Sequence, residues 1–152
     1  MQQNPSMCRV AATATVNASA QCVYNIAADS AGYPHWAGIG SFEHVSSGAN
    51  SLYGEGSVRI FRTAGMVIKE EVIAADPGRL CAYRLLSGLP LYDYVGRVRL
   101  EEQGSSTRIE WESTFAAPYG FGWFWRRFMG LIIARMTRDL AKEAEKADAS
   151  RS

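Results

Sequence analysis

A chain of 152 residues that is 47% hydrophobic, 20% charged and 11% aromatic has the makeup of one globular domain. Its 16 basic and 15 acidic side chains give a net charge of +1. That balance excludes the basic excess of a dedicated nucleic-acid binder and the acidic excess of a disordered tail. No apolar run is long enough to span a membrane.

Cys8, Cys22 and Cys81 are an odd number and form no CxxC, so no disulfide framework is expected and a reducing cytoplasm fits. His35 and His44 are the only histidines and cannot build a zinc site of usual spacing with isolated cysteines. No metal and no cofactor is expected. The start, MQQNPSMCRVAATATVNASA, ends in an A-x-A-like triplet. It lacks a basic beginning and carries Arg9 in its middle, so it does not read as a signal peptide.

Residues 9–16, RVAATATV, read as a first strand. Asn17 and Ser19 are N-cap candidates for a helix in which Val23, Ile26 and Ala27 share a face and which stops near Asp29. Ser30 is placed to cap a second short helix, constrained by Pro34, that carries His35 and Trp36. Between 39 and 116, six β-type runs alternate with turn clusters, the pattern of an antiparallel meander. The runs are IGSFEHV, SVRIFRT, MVIKEEVIAA, LCAYRLL, LYDYVGRVRLEE and TRIEWESTFA. Asp76-Pro77-Gly78 suits a turn, since proline presets φ and glycine accepts positive φ.

Alternation assigns faces. Tyr92, Tyr94, Val98 and Leu100 fall on one side, with Asp93, Arg97, Arg99 and Glu101 on the other. Ile109, Trp111 and Phe115 oppose Arg108, Glu110 and Glu112. Residues 120–146 form a long helix whose apolar stripe is Phe121, Phe124, Phe128, Leu131, Ile132 and Met136. From Arg138 onward the chain becomes polar and is expected to fray. No internal repeat, linker or second domain is visible. A curved antiparallel sheet laid against the long helix is the economical architecture, with a cavity where sheet and helix part.

In order and spacing, these segments resemble the START/Bet v 1-like (SRPBCC) superfamily, in its bacterial polyketide cyclase/dehydrase and lipid-transport branch. The resemblance covers about residues 10–146. It rests on NASAQCVYNIAADSAGYPHW, GEGSVRIF, EEVIAADPGRLCAY, GLPLYDYVGRV and STRIEWESTF. It implies an α+β helix-grip fold: seven curved antiparallel strands wrapped around a C-terminal helix, with two short helices after the first strand. One ligand-binding domain is expected over 1–152, its core at about 9–146. Fold alone does not fix activity.

Glu70 is the most informative charge. In MVIKEEVIAA it shares the more apolar face with Ile68, Val72 and Ala74, so it is expected to point inward. The family's glutamate six residues before the turn aspartate, here Glu70 before Asp76, implies the same. A carboxylate facing an apolar cavity must find a partner or take up a proton. Arg59 lies opposite Glu70 if Ala64-Gly65 make a two-residue turn, and Phe61 then faces Ile68. A three-residue loop would place Val58 there instead, and both registers are open. The pair reads either as a polar ligand anchor or as a structural ion pair inside the sheet.

The expected cavity walls are Trp36, Phe61, Tyr83, Tyr94, Trp111, Phe124, Phe128 and Ile132, with Arg59 and Glu70 as polar anchors. Trp111 also reads as ordinary core. His35 and His44 read as rim or solvated residues, and no GxSxG is present. Trp123 and Trp125 cannot both face inward with Phe124 and Phe128, because neighbours diverge on a helix. The surplus tryptophan points to a rim, a homodimer contact or, with Arg126 and Arg127, a membrane surface.

The expected function is binding of a small hydrophobic or amphipathic molecule (lipid, polyketide or isoprenoid-like). An enzyme like the family's polyketide aromatase/cyclases is the alternative. There Arg59 or Tyr94 would polarise a carbonyl and Glu70 would serve as base. A lipid or quinone chaperone at a membrane surface is the third reading.

Overall fold

The computed structural model describes residues 7–150. The first six residues, which belong to the stretch weighed and set aside as a signal peptide, and Arg151 and Ser152 lie outside it. Strand β1, Met7–Val16, buries Cys8, Val10 and Val16 on one side and exposes alternate residues on the other. Helix α1, Ala20–Ala28, begins at Ser19, whose Oγ accepts the Cys22 N–H at 3.1 Å. A 3₁₀ turn over Ser30–Gly32 runs straight into α2, Tyr33–Trp36. The cap of that turn is Asp29, with no side-chain capping bond. Ser30 is therefore not the cap its sequence position suggests; its hydroxyl is spent on Arg59, described below.

Six strands follow: β2 Ser41–Ser46, β3 Val58–Thr63, β4 Met66–Asp76, β5 Leu80–Ser87, β6 Tyr92–Gln103 and β7 Ser106–Ala116. Every neighbouring pair is antiparallel, in the order β1-β7-β6-β5-β4-β3-β2. β1 and β2 are successive in the chain but lie on opposite edges of the sheet. The segment between them must therefore cross the full width of the sheet, and α1 and α2 are that crossing.

Turn chemistry fixes the β3–β4 register. Ala64 and Gly65 have φ of +49° and +79°, the mirror-image geometry that two-residue hairpins favour. Arg59 thus pairs with Glu70 and Phe61 with Ile68, the first of the two open registers. Irregular pairing in β2, β4 and β6 adds the bends that curve the sheet. The β6 irregularity corrects one face assignment. Tyr92 pairs with Ala116 and Val95 with Thr114, so β6 carries one extra residue there, with Asp93 at φ +51°. That bulge turns Tyr92 outward while Tyr94 stays buried.

Helix α3 spans Gly122–Ala149, about 42 Å at the usual rise. Its inward row is Met129, Ile133, Thr137, Leu140 and Ala144, which differs from the expected stripe. Phe121, Phe124 and Leu131 are exposed, whereas Phe128, Ile132 and Met136 flank the core. Small residues at 137 and 144 let the helix lie close on α1 and β1, a feature that a count of large apolar side chains misses. The polar C-terminal stretch stays helical to Ala149 instead of fraying. Leu140 and Ala144 are fully buried, and Cys22 Sγ lies 3.8 Å from the Ala144 carbonyl oxygen.

Candidate ligand-binding site

Between the concave face of the sheet and α3 lies a cavity of about 260 Å³. This is slightly below the roughly 300–1,000 Å³ usual for small-molecule sites. Its walls are mostly apolar: Ile39, Ile68, Leu85 and Leu89 from the sheet side, Phe128, Ile132 and Met136 from α3. Eight of the ten expected residues line it: Arg59, Phe61, Glu70, Tyr83, Tyr94, Trp111, Phe128 and Ile132. Trp36 and Phe124 do not. Trp36 packs on Tyr33 with ring centroids 4.8 Å apart, and its buried Nε1 has no hydrogen-bond partner. Phe124 is 44% exposed.

One end of the cavity is polar. Arg59, in β3, donates from Nε to Glu70 Oε1 at 3.1 Å, and its second terminal nitrogen lies 3.0 Å from the same oxygen. The first terminal nitrogen donates to Ser30 Oγ at 2.8 Å. Three rings surround the guanidinium, those of Tyr33, Phe61 and Tyr83, at 5.0 to 5.4 Å from their centroids. Arg59 is thus held by two elements brought together only by the fold, β4 through Glu70 and the crossing segment through Ser30 and Tyr33. Tyr33 is itself anchored, its hydroxyl donating to the Ala27 carbonyl at 2.6 Å.

A hydroxyl network continues beyond the ion pair. Trp111 Nε1 donates to the Tyr83 hydroxyl at 3.1 Å, and the Tyr94 hydroxyl lies 2.8 Å from Ser113 Oγ. Tyr83 pairs with Gly96 on β6, and its ring lies across that glycine. A Cβ at position 96 would collide with the ring, so only glycine leaves room for Tyr83 in this pose.

Burial dominates the protonation of this cluster. It pushes the Glu70 carboxyl above its ordinary value, and the Arg59 charge and hydrogen bond only partly reverse the shift. For Arg59 burial is the largest single influence and opposes the charge, but the Glu70 carboxylate and its hydrogen bond, with Tyr33 and Tyr83, together outweigh it, so the guanidinium stays protonated. Burial also raises the hydroxyls of Tyr33, Tyr83 and Tyr94 above the usual tyrosine value. At neutral pH all three are neutral donors. Both Arg59 contacts fall on Glu70 Oε1, which leaves Oε2 to accept from something else. Chemically, the site offers one acceptor, several neutral hydroxyls, a long apolar wall and, from α3, the Arg135 guanidinium.

Sequence reading passed over Ser30, Tyr33 and Ser113 as members of the polar end. Serine followed three residues later by tyrosine, on a short helix before a strand, carries no recognisable pattern. Alternation on β7 did place Ser113 with Trp111 and Phe115, and that was the usable signal. The two histidines stay outside: His35 Nε2 is 3.5 Å from Glu143 at the surface, and His44 Nε2 is 3.2 Å from Ser47 Oγ. Among the described residues no group of three or more histidine, cysteine or acidic side chains could hold a metal ion.

The fold has solved counterparts. A START superfamily protein from Mycobacterium smegmatis aligns with a TM-score of 0.73 at 17% identity, covering 95% of this chain and 99% of its own. Norcoclaurine synthase from Thalictrum flavum, solved with dopamine and hydroxybenzaldehyde, aligns with a TM-score of 0.75 at 16% identity, covering 93% of this chain and 88% of its own. Major latex-like protein 151 from Panax ginseng aligns with a TM-score of 0.71 at 14% identity, covering 91% and 97%. At such identities the likeness concerns the fold. Among curated proteins none matches. Residues 7–145 match the family described as polyketide cyclase/dehydrase and lipid transport, and family and fold together support a hydrophobic ligand-binding role. The chain belongs to that polyketide cyclase/dehydrase and lipid-transport family.

Proposed function

We propose that this protein binds one small, mainly apolar and uncharged molecule whose polar head donates a hydrogen bond to Glu70. The observation that carries this reading is the half-used carboxylate of Glu70 at the polar end of a mainly apolar cavity. At the Glu70 end an anionic head is disfavoured, because Arg59 is already shared between Glu70 and Ser30; the other cation of the lining is Arg135 of α3, 3.7 Å from Asp139. A cationic head is less suited than a neutral one, since the Arg59 charge stands directly behind Glu70. Tyr83, Tyr94, Phe128 and Ile132 would hold the apolar body. Cys8 and Cys81 are free thiols, which suits a reducing cytoplasm.

The test uses 2-naphthol, an uncharged two-ring molecule with one hydroxyl, and naphthalene, which lacks it. By fluorescence titration 2-naphthol binds one to one and more tightly than naphthalene. Glu70→Gln weakens 2-naphthol by roughly fivefold or more, because the charge-assisted bond becomes a neutral one. Equal affinity in the variant would take Glu70 out of the site. Ile132→Trp fills the cavity and abolishes binding of both molecules.

A second reading draws on the same carboxylate. Glu70 as base beside protonated tyrosine hydroxyls is the arrangement that carbon-acid chemistry and aldol closure need. Proton exchange at the α-carbon of 1-tetralone in deuterium oxide, followed by NMR, tests it. A rate equal to that with Glu70→Gln removes the catalytic reading and leaves the binding one.

A further inference from the structure

The start of α3 inverts the usual distribution of side chains. Tyr119 is 90% exposed, Trp123 71% and Phe121 57%, and Phe124 and Leu131 are exposed as well. Burying such a cluster is favourable, so a run of this kind on the surface marks a contact. The charge around it is one-sided. No acidic residue occurs between Glu112 and Asp139, whereas Arg126, Arg127, Arg135 and Arg138 do, which leaves the rest of the chain with an acidic excess. Among the described residues every arginine lies within ion-pairing distance of a carboxylate except Arg126 and Arg127. Those two are exposed and adjoin Trp123 and Phe124.

We propose that the segment from Tyr119 to Leu131 docks this protein on anionic lipid bilayers. Tyrosine and tryptophan rings suit the headgroup boundary, and two unpaired arginines suit anionic phosphates. A second copy of the chain is the poorer occupant. A two-fold contact would set Arg126 and Arg127 close to their own copies with no carboxylate between them. The surface also connects to the cavity. Phe124 stacks on Phe128, with centroids 6.0 Å apart and planes 5° from parallel, and Phe128 lines the cavity. A docked molecule holds its cavity wall one ring away from the bilayer. The docking surface goes beyond the cavity reading, and its failure would leave that reading untouched.

The experiment is co-sedimentation of the intact, ligand-free chain with phosphatidylcholine vesicles, with and without about a quarter phosphatidylserine. Binding is expected to the phosphatidylserine vesicles. Replacing both arginines (Arg126→Gln with Arg127→Gln) weakens it roughly tenfold or more. Phe121→Ser with Trp123→Ser abolishes it while leaving the melting temperature in place, because both side chains are solvent-exposed. Tyr92→Ser, at an exposed aromatic elsewhere on the surface, changes nothing. Three results overturn the proposal. One is no binding to either vesicle. Another is a dimer by light scattering that Trp123→Ser dissociates and that ignores vesicles. The last is binding to a single-stranded oligonucleotide in place of lipid.

Discussion

Two regions of this molecule hold the side chains that composition would assign to the other. The cavity end of β3 and β4 buries an arginine and a glutamate, at 5% and 9% exposure. The first turns of α3 leave Phe121, Trp123 and Phe124 in solvent. The difference shows that placement follows available partners rather than hydropathy alone. Arg59 is tolerated inside because Glu70 and Ser30 take its hydrogen bonds and three rings cover its faces. Trp123 and Phe124 stay outside because helical geometry turns their positions well away from the face that carries Met129 and Ile133.

Removing one half of the buried pair is the hardest way to test that contrast. Glu70→Ala leaves Arg59 buried without its counter-charge and is expected to cost about 3–5 kcal/mol in urea unfolding. The double replacement Arg59→Met with Glu70→Leu is expected to recover most of that loss, since paired removal leaves no stranded charge. If the double variant is no more stable than Glu70→Ala, the pair is not what holds the buried end together.

Two leucines of α3 sharpen the comparison at slightly smaller effect. Leu140 is fully buried in the polar half of the helix, and Leu131 is 67% exposed in the aromatic half. Leu140→Ala is expected to cost about 2–5 kcal/mol. Leu131→Ala is expected to stay within about 0.5 kcal/mol of wild type. Equal losses by thermal melting would mean that the aromatic half is covered in solution.

The smallest effect is one of pH. With the Glu70 carboxyl held above its ordinary value, the folded protein keeps that proton after the unfolded chain has released it. The contribution to stability is complete below the ordinary carboxylate value and is lost as pH rises through the folded value. The wild-type advantage over Glu70→Gln in unfolding free energy therefore shrinks as pH rises from the acid side. An advantage that grows with pH would mean that Arg59, not burial, sets the proton affinity of Glu70.

Most of the architecture was legible because strands and turns are local. Alternation in MVIKEEVIAA put Glu70 on the inner face, and the β-type runs found every strand to within a few residues. Local signals failed where a single residue of turn or bulge decides the register. Whether Arg59 meets Glu70 depended on a one-residue difference in loop length, settled by the left-handed backbone of Ala64 and Gly65. Alternation puts Tyr92 on the face of Tyr94 because a bulge at Asp93 leaves no mark on an alternating pattern.

By itself the sequence determined the meander, the long terminal helix and the inward carboxylate, since each follows from periodicity and turn residues within one segment; the helix-grip arrangement was implied by the family resemblance. Only the tertiary structure decided which face of α3 packs inward, that Ser30 and Tyr33 join Arg59, and that Trp36 and Phe124 lie off the cavity. Those outcomes depend on how a crossing segment and a helix fit a curved sheet, and that fit is a property of surfaces far apart in the chain.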